Sequence, residues 1–200
     1  ETFSGKTTDD FSRPVNAYMP KGTTDVYVKD VTDPATGRTY YLLGSGRRVY
    51  TNNASLIRVK TDFAANTLGV KEAKVESNYT RLSLSADWRI PYNLQLAPQY
   101  YLNPNGNPQK YDITKNNDVL DADAFTADHV DITFYYTTEA KATPAFSGSP
   151  IIKSAEWIKG DNNTMILRLH LRSAGGFYGY SVTWGEDGTL YFAFKHPANT

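Results

Sequence analysis

The chain has no cysteine, which excludes disulfides, thiolate metal sites and a cysteine nucleophile. It says nothing about the compartment, because many secreted proteins also lack Cys. Net charge is missing too: Lys+Arg 21 against Asp+Glu 21 leaves no global field toward nucleic acid or a membrane surface. No apolar run is long enough to insert in a membrane, and no signal peptide is visible. The chain opens Glu1-Thr2-Phe3 without Met, the expectation for a processed or trimmed chain, so the missing signal carries little weight. No segment holds a helical period beyond about two turns.

What is present is aromatic, alternating and punctuated by turns. Tyr 15, Phe 9 and Trp 3 suit sheets buried on one side and wet on the other. Thr164 to Arg172 alternates: Met165, Leu167, Leu169 and Leu171 share one face, while Arg168, His170 and Arg172 share the other, the pattern of a half-buried strand. Tyr178, Tyr180, Val182 and Trp184 then fall on one face, and Asp187-Gly188 turns the chain so that Leu190, Phe192 and Phe194 return inward. Earlier runs read the same way: Leu82, Leu84, Ala86 and Trp88 inward, and a single strand over His129 to Thr138 with Val130, Ile132, Phe134 and Tyr136 inward. Many short strands with closely spaced turn signals predict an all-β sandwich or barrel. The expected organisation is a flexible arm at 1–10, a small five-strand barrel-like module at 11–66, and a β-sandwich at 67–200.

Reactive constellations are scarce. His129, His170 and His196 are far apart and lack zinc-site spacing, so they read as isolated strand or turn histidines. Ser45, Ser147 and Ser149 lie near glycines but not in a nucleophile elbow, and Ser147 to Pro150 reads as a plain loop. The Gly44-Ser45-Gly46 turn has no following helix and is no phosphate loop. Asn116 to Asp123 offers oxygens, but not the glycine and closing glutamate of a calcium-binding loop. Glu156 is the main candidate for a catalytic carboxylate, with surface solvation as its simpler role. The chain is therefore expected to carry no catalytic residues, metal or cofactor of its own. Recognition remains. Arg168, His170 and Arg172 project from one strand and Arg81 from another. Tyr135, Tyr178 and Tyr191 flank them, and Arg is suited to carboxylates. A binding face of this kind predicts that Arg168→Ala with Arg172→Ala weakens binding and leaves thermal stability nearly unchanged.

The string Trp88 to Gln99, the run Asp131 to Tyr136, the bend Leu169 to Tyr180 with Gly175-Gly176-Phe177-Tyr178-Gly179-Tyr180, and the closing Phe194-Lys195-His196-Pro197 resemble the region upstream of the catalytic domain in secreted Firmicutes N-acetylmuramoyl-L-alanine amidases. Val70 to Pro197 is similar in strand pattern to the AMIN domain, a β-sandwich implicated in peptidoglycan binding. The first module is similar to bacterial Src-homology-3-like barrels. The resemblance implies an extracellular, wall-associated chain that binds peptidoglycan or another wall polymer and does not act on nucleic acid. The parent's zinc ligands and catalytic glutamate would lie beyond Thr200, and the catalytic domain there would be a second partner. A regulatory module holding that domain inactive, or a carbohydrate-binding adhesin module, are the alternatives.

Overall fold

A computed structural model describes residues 2–4, 25–43, 47–57, 65–97, 111–112, 118–119 and 127–198. Among them the chain is all-β, with one 3₁₀ turn at Thr51–Asn53 and no α-helix.

The first sheet contains β1 (Thr2–Ser4), β2 (Tyr27–Thr32), β3 (Thr39–Leu43) and β4 (Arg47–Tyr50), in the order β1-β4-β3-β2. Its neighbours all run antiparallel. Val31, Tyr40 and Leu42 are buried together against Tyr50. The β2–β3 turn is tied by Asp33: its carbonyl accepts the Gly37 N–H at 2.8 Å and its carboxylate the Ala35 N–H at 2.9 Å. Gly37 sits at φ +69°, where a Cβ would be strained. One expectation changes here: residues 2–4 pair with β4 where an arm was expected. The four described strands form an open sheet, with β1 and β2 as its edges; residues 11–24, 44–46 and 58–64 of the expected five-strand barrel-like module lie outside the described residues. The Gly44–Gly46 turn lies outside the described residues.

The remaining strands are β5 (Asn66–Val75), β6 (Tyr79–Ser85), β7 (Tyr92–Ala97), β8 (Tyr111–Asp112), β9 (Asp118–Val119), β10 (His129–Phe134), β11 (Thr137–Lys141), β12 (Ile152–Lys159), β13 (Met165–Leu171), β14 (Tyr180–Trp184) and β15 (Thr189–Lys195). Among the described residues β8 and β9 pair only with each other. The others form a four-stranded sheet, β12-β13-β10-β7, and a five-stranded sheet, β11-β5-β6-β15-β14. The inward rows of both sheets meet in one core. Leu94, Leu96, Val130, Ile132, Phe134, Leu167 and Leu169 come from the first, and Leu68, Leu82, Leu84, Val182, Leu190, Phe192 and Phe194 from the second. Each fully buried side chain of this size contributes about 1.5–3 kcal/mol by leaving water. The alternation of β13 is strict, with Met165, Leu167, Leu169 and Leu171 all buried. Tyr180 and Val182 are buried as the pattern predicts, but Tyr178 is exposed, because regular pairing begins only at Tyr180.

The expected single strand from His129 to Thr138 is two strands in different sheets. β10 ends at Phe134, Tyr136 takes φ 52°, and β11 runs parallel to β5. A buried asparagine fixes the crossing. The Asn66 N–H donates to the Tyr136 carbonyl at 2.7 Å, its Nδ2 donates to Thr137 Oγ1 at 3.3 Å, and its Oδ1 accepts the Asp87 N–H at 2.7 Å. A left-handed tyrosine costs conformational energy, and these bonds together with the burial of Phe134 and Thr137 over-determine it.

Candidate functional site

Because inward residues fill the core, the outward residues of the four-stranded sheet line up in rows. Gln95, Asp131, Arg168 and Glu156 are successive cross-strand partners. In the next row His129 faces His170, and His170 faces Ser154. Asn93, Thr133, Ile166 and Ile158 form a third. A bulge between Ile152 and Ser154 sets the parity of β12, turning Glu156 outward and Trp157 against the core.

Arg168 grips Asp131 with two parallel bonds, Nε to Oδ1 at 2.9 Å and Nη2 to Oδ2 at 3.0 Å. The pair is half-buried, at 31% and 20% side-chain exposure. The Asp131 carboxylate raises the pKa of the Arg168 guanidinium above its ordinary value, the hydrogen bonds being the largest cause. The His129 Nδ1–H donates to the Asp128 carboxylate, a group that can only accept. This turns Nε2 toward Asp131 Oδ2, 3.8 Å away. The same bond holds the exposed Asp128 carboxyl below the usual carboxylate range. The two imidazole rings lie 5.9 Å apart, centre to centre, and His170 Nε2 is 3.7 Å from Glu156 Oε2. That separation is an ion-pair distance when the ring is protonated, and is too long for a hydrogen bond.

Not all the candidate residues are brought together. Arg168 and His170 belong to this face. Arg172, at its end, is exposed, and its Nε donates to the Ser149 carbonyl. Tyr135 lies just past the opposite end of β10, where its N–H donates to the Pro91 carbonyl at 3.0 Å. Arg81 and Tyr191 are on the outer face of the other sheet: Arg81 faces Ala193 and Tyr191 faces Ser83. Arg81 Nη2 bonds Glu72 at 2.9 Å and lies 3.8 Å from Glu76. Asp128, Asp131 and Gln95 were missed by sequence reasoning, and Glu156 was read as a solvated carboxylate. Outward parity in His129-Val130-Asp131 was visible, but the register that sets Asp131 opposite Arg168 was not. Nor are the histidines all isolated, since antiparallel register puts His129 directly across from His170.

His196 has a different role. Its Nε2 is 2.8 Å from Thr80 Oγ1, which is 2.8 Å from Ser149 Oγ, and its Nδ1 is 3.3 Å from the Ser77 carbonyl. Ser149 Oγ accepts the Ile152 N–H at 3.2 Å. All three side chains are buried, so this hydroxyl–imidazole chain clamps the loop before β12 to the last strand and exposes no nucleophile. Ser149 is thus more than the plain loop residue expected.

Among the described residues no group of three or more His, Asp or Glu side chains is placed to hold a metal ion, and no helix is long and apolar enough to cross a membrane. The calcium candidates at 116–117 and 120–123 lie outside the described residues. The outer face of the five-stranded sheet is charged as well, through Lys71–Asp187 and the Glu72, Lys74, Glu76 and Arg81 cluster, and no family model, no curated protein and no solved structure matches this chain.

Proposed function

We propose that this chain is a non-catalytic, extracellular cell-wall-binding region of a secreted N-acetylmuramoyl-L-alanine amidase. In this reading the sandwich is AMIN-like, the first sheet is Src-homology-3-like, and the zinc-dependent chemistry belongs to a partner domain that this region positions on peptidoglycan. One observation carries it: the outer face of the four-stranded sheet presents Gln95, Asp131, Arg168 and Glu156 in one row with the His129–His170 pair beside it. Fixed polar groups on a rigid sheet bind without first paying the entropy of ordering. The resemblance of Trp88–Gln99 and of the Gly175–Tyr180 bend supplies the ligand class.

Co-sedimentation with purified peptidoglycan tests this. Retention of the intact chain at low and moderate salt is expected, reduced when Glu156 and Asp128 are neutralised together. A chain that stays in the supernatant at both salt concentrations overturns the reading.

A further inference from the structure

The charged face has a chemical bias that narrows its ligand. Its signs alternate across neighbouring strands, with Asp131, Arg168 and Glu156 as successive partners. Adjacent strands are about 4.8 Å apart, so the Arg168 and Glu156 positions are about one strand spacing apart. Arg168 commits Nε and Nη2 to Asp131. Glu156 remains outside that pair, with its side chain 53% exposed. Beside it His170 approaches Glu156 and His129 approaches Asp131. Asp131 and Glu156 stand against Arg168 in the row, Asp128 and Arg172 add one charge of each sign just beyond the strand ends, and the exposed Lys153 lies in the β12 bulge. Nearly balanced charge of alternating sign offers a polyanion no net attraction and gains little from an uncharged sugar. Nor does a tyrosine, tryptophan or phenylalanine ring stand in the two charged rows; among the outward tyrosines, Tyr135 lies beyond the strand end and Tyr191 on the other sheet.

Resting on the wall-binding reading, we infer that the four-stranded face takes the peptide part of the wall polymer, at a centre that carries both a free amine and a carboxylate. The ammonium group meets Glu156. The carboxylate meets the remaining edge of the Arg168 guanidinium and the neighbouring His170 ring. Charge complementarity fixes this polarity: the reverse placement sets like charges together on both sides. Asp131 is the positioning residue, because its two bonds hold the guanidinium plane in place.

The test titrates the intact chain with three soluble probes by calorimetry: a wall stem peptide with a free amine and carboxylate on its diamino acid, the same peptide N-acetylated at that amine, and peptide-free wall glycan. The free-amine peptide should bind at least about fivefold more tightly than the acetylated one, a difference of about 1 kcal/mol. Glu156→Gln should abolish that difference, and Glu156→Asp should restore part of it. Equal binding of the two peptides, or glycan binding as tightly as the free-amine peptide, overturns the inference and leaves the wall-binding reading standing. Absence of binding to all three probes, together with loss of co-sedimentation, overturns both. The Glu156 side chain is exposed and bonds no backbone group among the described residues, so its variants should fold; an unchanged melting temperature verifies this.

Discussion

Arg168 provides the sharpest test of how the charged face is built. Sequence alternation places it outward on β13 and treats it as a dispensable surface charge. The structure gives it two charge-assisted bonds to Asp131 at 2.9 and 3.0 Å, with 31% and 20% side-chain exposure. Fully exposed ion pairs contribute about 0.2–1 kcal/mol, whereas hydrogen bonds to charged groups contribute about 1.5–3 kcal/mol. Both side chains are less than a third exposed, and removing the guanidinium leaves Asp131 half-buried without its main partner. Arg168→Met, which keeps much of the apolar stem, should therefore destabilise the sandwich by about 2 kcal/mol. For a unit of this size that lowers Tm by about 6–10 °C. Urea denaturation of Arg168→Met, Asp131→Ala and the double variant gives the coupling energy, expected at about 1–2 kcal/mol. Arg172→Ala is the control, with a loss of about 0.5 kcal/mol. If Arg168→Met costs less than about 0.5 kcal/mol, or the two single changes simply add, the pair is a solvated contact and the reasoning fails. The expectation that both arginines can be removed without thermal consequence is thus revised for Arg168.

Three further outcomes follow from the fold. His196→Ala removes the end of the buried chain through Thr80 and Ser149 and should cost about 2 kcal/mol in urea unfolding, whereas a neutral result would mean that the clamp does not hold the loop before β12. Phe192→Ala empties the centre of the core, where Phe192 lies against Tyr92 at 5.5 Å and Phe134 at 6.3 Å between ring centres; a loss of about 3–5 kcal/mol is expected, read by the same unfolding curves. The Asp187 carboxyl is held below its ordinary value chiefly by the Thr189 N–H, then by the Thr189 hydroxyl and Lys71. Its folded pKa is therefore below its unfolded one, so its contribution is complete above the ordinary carboxylate pKa of about 4 and is lost as pH falls through the lower folded value. Asp187→Asn should make melting temperature less sensitive to acid between about pH 5 and 2, and an unchanged acid limb would refute this.

Much of the sandwich was legible because period-two patterning and turn chemistry agree locally. β13 and the β14–β15 hairpin are the best instances: leucines alternate with polar residues in one, and Gly188 takes φ +79° where Asp-Gly forecast the reversal in the other. The crossing at Tyr135-Tyr136 was hidden, since an unbroken run of strand-forming residues contains neither Gly nor Pro to announce it. What turns the chain there is Asn66, seventy-one positions from Thr137. The charged face was half legible for the same reason. Alternation tells which way Asp131, Arg168 and His170 point. Which of them face each other depends on register between strands distant in sequence, and for Glu156 also on the bulge after Ile152.

The last of the described strands, β15, is not at an edge. It lies between β6 and β14, and its Phe192 stands opposite Leu82, more than a hundred residues earlier. During synthesis β6 therefore has to wait, with Leu82 and Leu84 lacking their neighbour, until the final hairpin has emerged. Closure of the five-stranded sheet is thus a late event that joins distant parts of the polypeptide, the kind of topology that folds slowly and exposes sticky intermediates on the way. A polypeptide cut short before residue 189 would leave β6 without its β15 neighbour and its apolar row open to aggregation.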